Sequence, residues 1–371
     1  MFVEEFLAWS RGATVTERAT AIADLAAMFV DDALDSGDRQ DSEAVFAHMM
    51  DDGSIEVRAA LSNALAGCDD IPPAVLWGLL DDVAEVAAPL LQEDPTLRAA
   101  DLIDLLTRVC ETGQTAIATR HDLDGSVVRA IVSEGCADAN LALLNNESLA
   151  LGPGLKDELA DRFADDCQLR GALLACADLT AATRDKLARA LGEGLTLLAG
   201  RLGADTVQTR HAAKDAANRA SIDIAMTTPL EQLPDFVEHL VYTGRMTPSL
   251  LVRAAAAGQA AFVEHTFALL SGMALGRVQS ICDRGAGPSF DALYARTGLP
   301  QPQLVVHAAA VSLWPLDSNR LASDMLDVVR HEPDLDGATL ALLSRIALEQ
   351  LRDRTFVPQM MLEYTPIQMA A

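Results

Sequence analysis

A helix-start pattern recurs in this chain one helical hairpin further on, and that spacing constrains the fold more than any other feature. It first reads Asp51-Asp52-Gly53-Ser54-Ile55-Glu56-Val57-Arg58-Ala59-Ala60-Leu61, then Asp81-Asp82-Val83-Ala84-Glu85-Val86-Ala87-Ala88-Pro89-Leu90. Glu56-Val57 and Glu85-Val86 stand 29 residues apart. A period in the ~20–50 residue range belongs to stacked supersecondary units, none able to bury its apolar face alone. Each unit covers the next, and the assembly grows as a solenoid. A looser repeat follows. Leu123, Leu149 and Leu179 open similar turns, 26 and 30 residues apart, each ahead of a helical run (127–132, 155–163 and 183–191).

Composition points the same way. Hydrophobic residues make up 50% of the chain but aromatics only 4%, with Ala, Leu and Val dominant. Ala and Leu have the best helix propensities, and small side chains let helices approach closely. A sheet protein needs alternating runs rich in Tyr, Phe, Trp and Thr, which this sequence lacks. The expected class is all-α.

Local signals set the helix boundaries. Thr14-Val15-Thr16-Glu17 is a capping box ahead of Ile22, Leu25, Met28 and Phe29. Gly37-Asp38 reads as a turn before the first repeat. Asp94-Pro95 and Thr247-Pro248 each pair an N-cap residue with Pro at the first helical position. Thr228-Pro229-Leu230-Glu231 combines a capping box with the same proline signal. Between them, 204–225 is polar and Ala-rich, carrying Arg210, His211, Lys214, Asp215, Asn218 and Arg219. Further on, Phe262, Val263, Thr266, Phe267, Leu269 and Leu270 share one helical face. Near the end, Pro358 and Pro366 bracket Met360-Met361-Leu362-Glu363-Tyr364. This tail reads either as a docking arm or, as expected here, as a segment folded onto its own last helix.

Two resemblances follow from these residues. The stretch 51–65 looks like a HEAT-type repeat, its acid before the helix and its Val-Arg-Ala-Ala-Leu run on the packing face. More broadly, the chain resembles an uncharacterised bacterial family, domain of unknown function 2336, from about residue 90 to 330. The residues carrying that match are Asp122-Leu123 and above all Thr247-Pro248-Ser249-Leu250-Leu251-Val252-Arg253-Ala254, Gly258-Gln259-Ala260-Ala261-Phe262 and Leu275-Gly276-Arg277-Val278. Asp283-Arg284-Gly285-Ala286-Gly287 and Leu293-Tyr294-Ala295-Arg296-Thr297-Gly298-Leu299-Pro300 extend it. The resemblance implies a helical-repeat fold and brings no catalytic residues. The expected architecture is a HEAT-like α-solenoid followed by a second all-helical domain. Its parts are an N-terminal helical cap (1–45), HEAT-like repeats (46–195), a connecting helix or linker (196–228), a C-terminal helical domain (229–353) and a tail (354–371).

No residue pattern in the chain carries catalytic chemistry. His211 and Asp215 share a helical face but lack a third orienting group. The seven histidines show no H-E-x-x-H spacing, and the six cysteines form no C-x-x-C pair, so neither metal nor cofactor is expected. The scattered cysteines read as small buried hydrophobes. The acid doublets Asp31-Asp32, Asp51-Asp52, Asp69-Asp70, Asp81-Asp82 and Asp165-Asp166 read as helix caps, because carboxylates satisfy free N–H groups at helix starts. Arg284-Gly285-Ala286-Gly287-Pro288 is a glycine-dense loop without the phosphate-cradle pattern. Arg277, Asp283 and Arg284 around it form the candidate binding patch, since polar loops on rigid scaffolds carry recognition.

With 54 acidic against 28 basic residues, the net charge is −26. That excess argues against nucleic acid, whose binders need a basic patch, and against anionic lipid surfaces. It reads either as a solvated surface serving solubility or as an attraction for a basic segment of a partner protein. The chain begins with acids where a signal peptide carries Lys or Arg, and no stretch approaches the ~20 apolar residues of a membrane span. The expectation is a cytoplasmic, non-enzymatic protein–protein interaction scaffold of open oligomeric state. The alternative is a ligand-sensing regulatory module with a hinge near 196–228.

Overall fold

A computed structural model of the chain describes residues 2–203, 206–316 and 320–363, and among these every regular element is helical. The chain divides into two compact units, Met1–Leu179 and Thr180–Ala371. Residues 180–195 of the expected repeat region therefore lie in the second unit. The tail's last residues, 364–371, and the side chains from 353 onward lie outside the described residues.

The first unit runs through α1 (Phe2–Ser10), α2 (Val15–Val30), α3 (Ser36–Met49), α4 (Ile55–Leu65), α5 (Pro73–Leu80) and α6 (Ala84–Glu93). It continues with α7 (Ala99–Arg108), α8 (Glu111–Ala118), α9 (Gly125–Glu134), α10 (Ala137–Leu144), α11 (Pro153–Phe163) and α12 (Cys167–Ala175). Helices pack two apart: α2 on α4, α4 on α6, α6 on α8, α8 on α10 and α10 on α12 form one row. In the other row α1 lies on α3, α3 on α5, α7 on α9 and α9 on α11. This alternation follows from the sequence period. Val57 and Val86 occupy the same place, third in α4 and third in α6, and both are fully buried in the shared seam.

Polar side chains fix the register of the stack. Arg18 on α2 grips Asp52 in the α3–α4 turn with paired bonds of 2.9 and 3.0 Å. Arg58 on α4 grips Asp82 in the α5–α6 turn at 2.5 and 2.9 Å, and also donates to the Asp52 carbonyl. Further along, turns are stapled to the helix ends and turns of the preceding hairpin. Arg120 donates to the carbonyls of Leu91 and Asp94, and Asn146 to those of Ala118 and Arg120. These staples reach 26 to 29 residues back along the chain, the same scale as the Leu123–Leu149–Leu179 repeat.

The capping box at Thr14 and Glu17 forms as read. Gly37 and Asp38, in contrast, lie in the first turn of α3, whose N-cap is Asp35, with its carboxylate accepting from both their N–H groups. Asp94-Pro95 builds a turn, because the Asp94 carboxylate accepts from Thr96 and Leu97, and α7 starts only at Ala99. Thr228 donates to the Ile224 carbonyl at the end of the preceding helix and caps nothing; the next helix begins at Leu233.

The second unit opens with two long helices packed together, α13 (Ala181–Arg201) and α14 (Thr206–Thr227), the latter filling most of the expected connector. There follow α15 (Leu233–Tyr242), α16 (Pro248–Ala256), α17 (Ala260–Ser271), α18 (Leu275–Cys282), α19 (Pro288–Thr297), α20 (Leu304–Leu313), α21 (Leu321–Val329) and α22 (Gly337–Glu363). Helix α16 is the hub. Thr247 caps its start, every residue from Leu250 to Ala256 is buried, and it touches α14, α17, α20, α21 and α22. A helix apolar all round is a core helix. Its one cation, Arg253, pairs with Glu349 on α22 at 2.5 Å, while Trp314 and Gln350 donate to the carbonyls of Ala255 and Ala256 at its end. Beside it Phe236 pairs with Phe262, while Phe267, Phe290 and Tyr294 form an aromatic cluster.

Candidate functional site

Helices α18 and α19 pack on each other and on α17. The loop joining them turns at Gly285, whose φ of 76° is left-handed and open to glycine at little steric cost. Pro288 then starts α19 with its ring at the first helical position. This fold-back brings Arg277, Arg284 and Arg296 to one surface cavity of about 690 Å³, floored by Ile281 and Leu293 and edged by Ser280 and Ser289. Arg284 donates to the Ser280 carbonyl at 2.8 Å and Arg296 to the Ser271 carbonyl at 3.2 Å, which steadies both side chains. Among the described residues, none of the three guanidinium groups has a carboxylate partner. Guanidinium stays charged at every physiological pH and presents a planar fork of donors to carboxylate or phosphate oxygens.

The structure thus brings two of the three expected patch residues together, Arg277 and Arg284, and adds Arg296. Asp283 does not line this cavity. It ends α18, exposed, on the side of Glu264, whose carboxyl burial pushes up, with the Asp283 charge adding to the effect. Arg296 was missed because it stands in the last turn of α19 and meets the others only through the packing of two helices.

Charge is distributed unevenly between the units. Residues 1–179 carry 34 acidic and 11 basic side chains, a net −23, whereas 180–371 carry 20 and 17, a net −3. The arginine cavity therefore sits in the nearly neutral unit.

The remaining candidates resolve differently. Asp215 pairs with Arg345 at 2.5 Å, and His211 is exposed one turn before it. Of the doublets read as caps, Asp166 caps α12 by accepting from Gln168 and Leu169. Asp52 and Asp82 instead receive Arg18 and Arg58. Burial is the largest single influence on Asp52 and works against its charge, but the hydrogen bonds from Arg18 and the Ser54 N–H, together with the charges of Arg18 and Arg58, outweigh it and hold the carboxyl below the usual range; for Asp82 the Arg58 hydrogen bond is the leading cause. Cys68 and Cys282 are buried as expected, whereas Cys110 and Cys167 are exposed. Among the described residues no group of three or more His, Cys, Asp and Glu side chains could hold a metal, and no helix is long and apolar enough to cross a membrane.

In the second unit a buried network ties α13, α14 and α15 together. Asp185 accepts from Ser221 at 2.6 Å and pairs with Arg245, which also donates to Ser221 at 3.1 Å; His239 lies 3.7 Å from the same carboxylate. These groups satisfy one another.

No curated protein and no solved structure matches the chain. A family model matches residues 86–354, that of DUF2336, described as an uncharacterised protein conserved in bacteria.

Proposed function

The chain belongs to the uncharacterised bacterial family DUF2336, and from that premise we propose that it is a non-enzymatic protein–protein interaction scaffold whose second unit holds an acidic segment of its partner. The observation that carries this reading is the cavity bearing Arg277, Arg284 and Arg296 without carboxylate partners among the described residues. Three forks of donors around an apolar floor suit side-chain carboxylates flanked by apolar residues. Elsewhere in the second unit, Leu195 and Leu198 on α13 and Leu202 at its C-cap stand more than half exposed, three and four residues apart, an apolar strip of the kind found at recognition surfaces. A second contact, favoured by the net −23 of residues 1–179, is a basic partner segment on the first unit.

The test is fluorescence anisotropy of the full chain with a labelled peptide rich in Glu and Leu, beside its phosphoserine counterpart and a DNA duplex. The double variant Arg277→Gln/Arg296→Gln should weaken the peptide about two- to thirty-fold, since exposed charge pairs contribute ~0.2–1 kcal/mol each. Equal binding by wild type and variant would remove the cleft from the proposal. Tighter binding of the DNA would reassign its ligand class.

A further inference from the structure

The face that α14 turns toward α13 is not the face that a paired helix should have. Arg210, Ala213, Lys214, Ala217 and Asn218 follow one another at the 3–4 residue spacing of a single helical stripe. In a closed helix pair such a stripe is apolar. Here it lines a cavity of about 680 Å³, together with Gly192 and Leu197 of α13 and the 244–247 segment before α16. The volume falls in the ~300–1,000 Å³ range of small-molecule sites.

Three polar groups point to what this cavity takes. Asn218 is only 9% exposed, yet its amide is open to the cavity and has no hydrogen-bond partner among the described residues. Arg210 and Lys214, exposed one turn apart, likewise have no carboxylate partner among the described residues. The cations beside them are already committed, Arg189 to Glu193 at 3.9 Å and Arg245 to the buried Asp185. Two positive charges without carboxylate partners among the described residues therefore stand over a lining of Gly192, Leu197, Ala213, Ala217 and Gly244, which also carries Thr196, Thr247, the Arg189-paired Glu193 and the Asn218 amide.

We propose that this cavity is a binding site for a small amphiphilic organic anion, an acid head on an aliphatic body. The head lies between Arg210 and Lys214, the body lies along Leu197, Ala213 and Ala217, and the Asn218 amide meets a polar atom of the ligand. The site is separate from the arginine cleft on α18 and α19, and stands or falls independently of it.

Isothermal titration calorimetry of the full chain with decanoate tests this, with decanol as the body without the charge and inorganic phosphate as a charge without the body. One decanoate should bind per chain in the micromolar range, with decanol and phosphate about ten-fold weaker or more. The exposed pair Arg210→Gln/Lys214→Gln should weaken decanoate about ten-fold, and Asn218→Ser should weaken it less. Arg277→Gln/Arg296→Gln should leave it unchanged, which separates this site from the other. Absence of binding to millimolar decanoate overturns the proposal. So does equal affinity for decanol, or decanoate binding indifferent to the Arg210/Lys214 change.

Discussion

His307 on α20 is buried between Phe267 and Tyr294, ring centroids 5.6 and 5.5 Å away, and neither of its nitrogens meets a hydrogen-bond partner among the described residues. Burial lowers its pKa to about 4, so it is neutral in the fold. An unfolded chain takes up that proton near the ordinary value of about 6.5. Between the two values the unfolded state binds more protons, so stability is complete above about pH 6.5 and drains away as pH falls toward about 4. His307→Phe keeps an aromatic ring in the cluster and removes this titration. Urea unfolding at about pH 7 and pH 4.5 should show the wild type losing on the order of 2–3 kcal/mol more than the variant. Parallel losses in the two proteins would show that His307 is not the group responsible. Nothing in the sequence marks this histidine apart from the other six; its isolation depends on three helices closing over it.

At the scale of an element, neighbouring residues of one doublet have unlike duties. Asp82 is largely buried and holds Arg58 by two bonds, while Asp81 meets Arg108 in an exposed pair. Asp82→Ala leaves a half-buried guanidinium and the Val83 N–H without their acceptor, at about 1–3 kcal/mol. Asp81→Ala should stay within about 0.5 kcal/mol. Chemical denaturation of both variants measures the contrast, and equal effects would mean that the Arg58–Asp82 pair does not fasten α4 to the next turn. The Asp82 contribution is present above the ordinary carboxylate pKa and fades as pH falls through the lowered one. The period of 29 residues identified Val57 and Val86 as equivalent, because buried apolar positions repeat with the helices. It treated Asp81 and Asp82 alike, because which of two adjacent acids faces an arginine 24 residues away depends on the packed seam. The same holds for the binding patch: Arg277 and Arg284 stood near a legible glycine loop, whereas Arg296 joined them through tertiary packing.

Across the whole molecule, charge follows the unit boundary. With 34 acidic and 11 basic residues before residue 180, a basic partner segment has one unit to choose. A Lys- and Arg-rich peptide should bind the full chain at about 50 mM salt and lose most of that affinity by about 500 mM, where the screening length falls well below ~8 Å. Affinity flat across that range would exclude the electrostatic attraction.

The two units also differ in how they are held. In the first, helices pack on others two places along and turns reach back by 26 to 29 residues, so a contact seldom ties distant helices of the row. In the second, one buried helix, α16, is shared by five others. A row of that kind can fray inward from an end while its middle stays intact, as nearest-neighbour arrays do. A hub grants no such partial opening: once α16 is wetted, its five neighbours lose their common support together.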